Sequence, residues 1–388
     1  MRSFFSLPHI TSGFVAVLVG YTSAGAIVFQ AAQASGASTD QIASWMWAVG
    51  VGMGLCGLFL SIRYKAPILI AWSTPGAALL ITSLEGLPMG EAIGAFLFSS
   101  TLLTICGFSG WFDKILKVIP TSLATGMLAG VLLRFALNAF GAMESSALLV
   151  GGMLLAYLIG KRFNPVYAVP LTLITGVLIA FSTGQFGETE VSLDPTIPVW
   201  MAPEFSISSL IGVGIPLFIV TMASQNLPGI ATLRAHGYQT PASPLIGWSG
   251  LTGLLLAPFG GFAFNLGAIT AAICMGETTN PDPSKRYHAT IWAGIFYIIM
   301  GIFGGVVTGL FILFPDALVM AIAGIALMGT ISNSLISALS NTEEREAAFI
   351  TFAITASGLT FFTIGAPFWG IVIGTAIHFF NSRANRRT

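Results

Sequence analysis

The sequence predicts an all-α polytopic membrane protein with fourteen transmembrane spans in a 7+7 inverted repeat. The third and tenth spans are broken, each a short extended segment plus a half-helix. Three observations carry this. Of 388 residues, 55% are hydrophobic and only 8% charged, against about 25% charged in soluble domains, so lipid must solvate most of the surface. Apolar stretches recur at spanning length, and the charges sort to two sides in step with them. The formal net charge is zero, fifteen Lys and Arg against fifteen Asp and Glu, so the total says nothing about partners.

A spanning helix needs about 20 mostly apolar residues. The first seven segments run 12–34, 41–60, 67–83, 91–109, 119–142, 146–160 and 167–182. The second seven run 208–233, 242–257, 262–275, 289–313, 317–337, 346–363 and 366–380. Arg2 before an apolar run resembles a signal peptide. However, Ser12 to Ala34 is about 23 residues, enough to span, and a retained first helix is expected.

With a cytoplasmic N-terminus, the even-numbered connections are cytoplasmic as well. Those connections hold Arg63, Lys65, Lys114, Lys117, Lys161, Arg162, Arg234, Lys285, Arg286 and Arg345. The termini add Arg2, Arg383, Arg386 and Arg387, leaving only Arg134 inside a span. The odd connections have no Lys or Arg and carry Asp40, Glu85, Glu91, Glu144, Glu188, Glu190, Asp194, Glu204 and Asp316. By the positive-inside rule both termini are cytoplasmic.

The polar stretch 183–207 is expected as an extracytoplasmic linker between a first repeat, 1–182, and a second, 208–388. Seven spans per half make the second half enter from the opposite side, the inverted-repeat topology of many secondary transporters. Val15–Gly36 and Pro216–Gly237 agree weakly: equal in length, they align Ser23 with Ser224.

The breaks have physical causes. In Pro67-Ile-Leu-Ile-Ala-Trp-Ser-Thr-Pro75-Gly76, each proline pushes its predecessor out of the helical region. Ser73 or Thr74 then suits an N-cap and Pro75 the first turn. In Pro258-Phe-Gly-Gly-Phe-Ala-Phe-Asn265-Leu-Gly267 the glycines disfavour helix, and Asn265 can cap a helix beginning at Ala268. Given the two directions of travel, both half-helices begin near midplane, with unpaired N–H groups and positive dipole ends suited to an anion. Kinked helices are the plainer alternative, but a matched pair in an inverted repeat favours a binding site.

Thr221-Met-Ala-Ser-Gln225-Asn226 is the most polar run within a span, and Gln225 and Asn226 are expected to line a cavity. Thr22 and Ser23 read as helix-packing groups. Arg134 has two readings of equal weight: a functional intramembrane cation, or a side chain that snorkels outward or pairs with Glu144. His9, His236, His288 and His378 sit near span ends and read as interfacial. Gly90/Gly94, Gly126/Gly130 and Gly301/Gly305 have the spacing that lets helices approach closely. Cys56, Cys106 and Cys274 read as small buried hydrophobes, with neither disulfide nor metal spacing. No nucleotide loop and no nucleophile–base pair stands out, which argues against ATP-driven transport and an intramembrane enzyme. No cofactor, metal or nucleic acid is expected.

Four segments, Ala71–Leu80, Phe218–Asn226, Leu266–Cys274 and Thr355–Thr360, resemble the bacterial benzoate/proton symporter family, and the similarity covers nearly the whole chain. The resemblance implies a carrier importing benzoate or a related aromatic carboxylate with protons, in the inner membrane. It also implies the fold of nucleobase/proton symporters and sulfate-transporter-type carriers, in which spans 1–4 and 8–11 form a core domain and spans 5–7 and 12–14 a gate domain. The nucleobase relatives carry acidic groups where this chain has Ser224–Gln225 and Phe264, a departure that suits an anionic substrate and removes the obvious proton site.

The expected substrate contacts are Ser73, Thr74, Asn265 and the Gly267 backbone as donors. Tyr21, Phe262 or Phe264 would supply ring contacts, and Gln225 and Asn226 a polar wall. Glu91, Arg134 and Glu144 are candidates for coupling or gating. A carrier for a nucleobase or another anion, or an anion channel, is the alternative. The sequence leaves a homodimer open.

Overall fold

The computed structural model describes residues 5–110, 120–188, 191, 193–361 and 364–385, with the backbone alone at 364 and 382–385. Lys114, Lys117, Glu190, Arg2, Arg386 and Arg387 of the charge map lie outside the described residues.

The first half opens with α1 (Leu7–Ala34) and α2 (Thr39–Tyr64). A capping box fixes where α2 starts: Gln41 N–H donates to Ser38 Oγ at 3.3 Å, and Ser38 N–H donates to Gln41 Oε1 at 2.9 Å. Strand β1 (Ile70–Trp72) then leads into the half-helix α3 (Thr74–Ser83). Helices α4 (Met89–Phe108), α5 (Thr121–Gly141), α6 (Met143–Phe163) and α7 (Ala168–Ser182) come next.

The second half begins with α8 (Ile207–Ala235), which contains two wide π-turns, Leu210–Gly214 and Met222–Asn226. Beyond it lie α9 (Ala242–Leu256), strand β2 (Phe264–Leu266) and the half-helix α10 (Ile269–Met275). Then come α11 (Tyr287–Ile302), α12 (Gly304–Leu313), α13 (Asp316–Ser340), α14 (Arg345–Ser357), the hairpin β3 (Thr360–Phe361) and β4 (Ile364–Gly365), and α15 (Ala366–Asn385). Among the described residues, nine helices are long and apolar enough to cross a membrane, ten if one bent pair counts as a single span.

The main packings of one half have counterparts in the other. Helix α2 lies on α11 as α9 lies on α4, and α6 lies on α7 as α14 lies on α15. Helix α5 packs on α14 and α15 as α13 packs on α6 and α7, while α5 and α13 pack on one another. Helices α1 and α8 each touch both half-helices. This is the packing of an inverted repeat.

Two segments expected as continuous helices are not. The segment 289–313 bends by 66° at the α11–α12 junction. Glycine is the cause: a β-carbon on Gly301 would lie 2.6 Å from Val51 N, and one on Gly304 2.8 Å from Trp47 N, so both press their backbone onto α2. In the segment 346–363 the helix ends at Ser357. Gly358, at φ +68°, takes the left-handed cap conformation and leads into the hairpin. Gly126 and Gly130 do bring α5 onto α14, their β-carbon positions lying 2.6 and 2.7 Å from Ala348 O and Phe352 O. Gly90 and Gly94 instead seat the extended segment 202–205, not a helix.

Gly301→Ala is therefore expected to cost about 1–3 kcal/mol by overpacking, seen as a lower melting temperature in detergent. Gly305→Ala, whose nearest neighbour would be Thr196 Oγ1 at 3.4 Å, leaves the melting temperature nearly unchanged. Equal melting temperatures for both variants would refute the close α2–α11 contact.

Candidate functional site

Extended backbone cannot stand in a bilayer unless its N–H and C=O groups are paired. The two broken spans pair with each other. Strands β1 and β2 form an antiparallel ribbon with Ile70 opposite Leu266, Ala71 opposite Asn265 and Trp72 opposite Phe264. Gly267 N–H extends it by donating to Leu69 O at 2.8 Å. That N–H, expected to serve a ligand, is consumed by the ribbon.

Side chains alternate across a ribbon. Behind it, Ile70 and Phe264 face Gly57 and Gly52 of α2, and Phe264 also reaches Gly253 of α9. Phe264 is fully buried there, as is Phe262, whose ring centroid lies 5.7 Å from both Trp45 and Phe96. Both phenylalanines are scaffold, a correction to their expected role as ring contacts. Ala71 and Asn265 share the opposite, front face.

The start of α3 is as its sequence predicts. Ser73 is the N-cap and its Oγ accepts from Gly76 N–H at 2.9 Å. Pro75 has no N–H, so α3 offers fewer free backbone donors than a pair of opposed helix ends would suggest. The hydroxyl hydrogen of Ser73 and the half-buried Thr74 hydroxyl remain. Helix α10 is capped at Ala268, not at Asn265, which belongs to β2. Its first turn is open: Ile269 is 76% exposed, and Ala268 and Thr270 are half-buried.

Asn265 is wholly buried. Its Nδ2 donates to Ala263 O at 2.9 Å, bracing a residue held at the unusual φ of +45°. That bond fixes which end of the amide is oxygen, and Oδ1 has no hydrogen-bond partner. Asn226 is a strut, not a cavity wall: its Oδ1 accepts from Leu266 N–H at 3.1 Å, tying α8 to the ribbon. The π-turn holding Asn226 adds a residue to the helical turn, a distortion frequent at functional sites. In it Ser224 donates to Val220 O at 2.5 Å, and Gln225 is half-buried. Thr221, just before the turn, has a buried hydroxyl without a partner, which its residue type alone does not signal.

Tyr21 stacks edge-on against Trp72, ring centroids 4.9 Å apart. Its hydroxyl points at the α2–α11 contact, 3.0 Å from where a Gly50 β-carbon would sit. It thus buttresses the ribbon through Trp72, whose part in the site its sequence context does not signal.

Glu91, Arg134 and Glu144 lie elsewhere. Glu91 accepts from Ser206 Oγ, the cap of α8. Ser206 is eighteen residues before Ser224 along the chain, about 27 Å of helix. Arg134 does not pair with Glu144; its Nη2 donates to Ser357 O at 3.2 Å and caps α14. Glu144 lies in the first turn of α6. At the C-terminal end of α10, Arg286 donates to Met275 O and Asn280 O, each at 2.7 Å. His9, read as interfacial, is buried and bridges Ser6 and Asn280. In the same loop, hydrogen bonds from Ser284 and the neighbouring Lys285 lower the exposed Asp282 carboxyl to about 2, so it stays ionised.

The front of the ribbon is thus a polar surface without charge. The β1, β2, α3, α10 and 222–226 segments contain no Asp, Glu, Lys, Arg or His. Such a surface can hold a small polar group through hydroxyls and amides, beside an apolar wall formed by Ala71, Ala268 and Ile269.

The family model described as benzoate membrane transport protein matches residues 3–380, and the chain belongs to that family. It is 47% identical over 367 residues to the inner membrane protein YdcO of Escherichia coli (strain K12), covering 95% of this chain and 94% of the relative. It is 40% identical over 379 residues to the benzoate membrane transport protein of Acinetobacter baylyi, covering 98% and 96%. Among solved structures it is similar to the murine Slc26a9 anion transporter in the inward-facing state, with TM-score 0.64 at 10% identity, covering 98% of this chain and 69% of that one. It is equally similar to the transmembrane domain of the cyanobacterial bicarbonate transporter BicA, with TM-score 0.64 at 12% identity, covering 95% and 97%. These likenesses establish the fold: an all-α polytopic membrane protein with inverted-repeat packing.

Asn226→Leu strips Leu266 N–H of its acceptor and is expected to cost about 1–3 kcal/mol, read from thermal unfolding in detergent. Gln225→Leu breaks no such bond and stays within about 0.5 kcal/mol of the parent. If the Asn226 variant melts like the parent, Asn226 is not the strut.

Proposed function

We propose that this chain is a secondary carrier in the bacterial inner membrane. It would import benzoate or a similar small aromatic carboxylate together with protons, by alternating access. Family membership over residues 3–380 supports the substrate class. The observation that carries the site is the uncharged polar front of the β1–β2 ribbon, where Asn265 keeps a buried acceptor without a partner.

In this reading the chain has fourteen spans as a 7+7 repeat, divided at 1–182, 183–207 and 208–388, with both termini cytoplasmic. The paired helix packings and the separation of basic from acidic connections support it. The core domain is α1–α4 with α8–α12, and it carries the ribbon. The gate domain is α5–α7 with α13–α15. The carboxyl group sits at the front of the ribbon against Ser73, Thr74 and Asn265, with Gln225 and Ser224 on one side. The ring lies along Ala71, Ala268 and Ile269, and Tyr21 acts from behind through Trp72. Rocking of core against gate opens this face to each side in turn.

A carrier for a small inorganic anion is the second reading, favoured by the likeness in fold to bicarbonate and anion transporters. An anion channel would use the same face, with high potential-driven conductance and no counterflow.

Radiolabelled benzoate uptake into proteoliposomes decides between them. Saturable uptake, faster with acid outside and competed by other aromatic carboxylates but not by bicarbonate, is expected. Thr74→Val should raise KM about tenfold, the equivalent of one hydrogen bond. Absence of saturable uptake would remove the substrate, and uptake indifferent to the pH gradient would remove the proton. Unchanged kinetics in both Thr74→Val and Asn265→Ala would misplace the site.

A further inference from the structure

A proton-coupled carrier ordinarily needs a titratable group beside its substrate, and the segments at the front of this ribbon carry no Asp, Glu, Lys, Arg or His. Near the start of α10 the buried Tyr297, whose hydroxyl reaches Gly20 beside Thr270, offers only a phenol. Every element packed against β2 is equally bare at membrane depth. Strand β1 and helix α9 carry no ionisable side chain. Helix α2 offers only Cys56 between Asp40 near its start and Arg63 and Tyr64 at its end, and α8 has only Arg234 in its last turn. Tyr21, behind Trp72, points its hydroxyl at the α2–α11 contact.

A carboxylate, moreover, can only accept hydrogen bonds. At Asn265 it would meet another acceptor: Oδ1 is buried and unpartnered, and the Nδ2 bond to Ala263 O prevents the amide from flipping to offer its donor. Burying an ion without a counter-charge is so unfavourable that an ionisable group in such a place neutralises instead. A helix terminus offsets at most about 2 kcal/mol of that in a partly buried site.

We propose that the carrier binds its substrate as the neutral carboxylic acid, whose O–H donates to Asn265 Oδ1, so that the transported proton rides on the substrate itself. The acid carbonyl then accepts from a hydroxyl at the start of α3, where Thr74 lies three residues beyond Ala71, the direct partner of Asn265. One proton joins each carboxylate on entry and leaves with it on release, one to one. No protein group changes charge in the cycle. The absence of acidic residues from the site is then the mechanism of coupling, not a gap in it. The proposal rests on the front of the ribbon being the carboxyl site.

The test is equilibrium binding of radiolabelled benzoate to the purified full-length chain in detergent, between about pH 5 and 8. The dissociation constant for total benzoate should weaken about tenfold per pH unit, as the acid form of a carboxyl with pKa near 4 disappears. Ring-substituted benzoic acids should shift that line by the differences in their own pKa values. Benzamide, an uncharged molecule with an N–H donor and a carbonyl, should compete with a pH-independent constant. Asn265→Leu should weaken benzoate binding about 10- to 100-fold at the acid end. If that variant does not fold, the wild-type comparison decides alone. A benzoate constant indifferent to pH, an inflection at the same pH for every acid, or failure of benzamide to compete would overturn the proposal while leaving the carrier intact. No saturable binding of any aromatic acid at any pH would remove the carrier reading and the proposal together.

Discussion

Non-helical backbone at membrane depth is tolerated only where every peptide group finds a partner. In this fold that condition rests first on the antiparallel pairing of β1 with β2, completed from outside by Asn226 Oδ1, which takes Leu266 N–H. Neither strand could exist alone. Pro67, Pro75 and Pro258 and the glycines around Gly260 break the two spans, and each break supplies the hydrogen bonds the other lacks. The surrounding helices are arranged to hold this crossing. Glycines of α2 let Ile70 and Phe264 approach from behind, Trp72 rests on Tyr21, and Asn226 pins Leu266 from the side of α8. Arg286 ties down the far end of α10.

Most of the charged and polar residues that might have served chemistry serve this frame instead. Arg134 caps the C-terminus of α14, and Glu91 accepts from Ser206, the N-cap of α8, so at both helix ends a full charge complements the peptide dipoles. His9 closes the loop beyond α10. At the crossing there remains a surface of hydroxyls and amides with no charge. Selectivity for a carboxyl group must then come from the pattern of donors and acceptors, and burial makes each of those bonds count more than in water.

Much of this was legible in the sequence because its causes are local. Proline restricts its predecessor wherever it stands, so the break at Ser73–Pro75, the cap and the start of α3 are fixed within ten residues. The separation of basic from acidic connections likewise needs only a one-dimensional count. The pairing of β1 with β2 was not legible, because its partners lie almost two hundred residues apart and three-residue strands carry no periodic signal. The same is true of the roles of single atoms. Asn265 reads as a cap from its type and place, but the ribbon turns it into a buried acceptor. Asn226 reads as cavity lining, but the π-turn swings it onto Leu266 N–H. The bend beyond Ile302 depends on the contacts its glycines make and the hairpin after Ser357 on the positive φ of Gly358, neither of which a hydropathy pattern encodes.

The central claim is that an uncharged crossing of two broken spans holds a carboxyl group in its neutral form. Carbon-13 NMR of benzoate labelled at the carboxyl carbon, bound to the chain at neutral pH, reads that state directly, since acid and carboxylate carbons resonate apart. The bound resonance is expected at the acid position while free benzoate in the same sample shows the carboxylate. A bound resonance at the carboxylate position would contradict the claim.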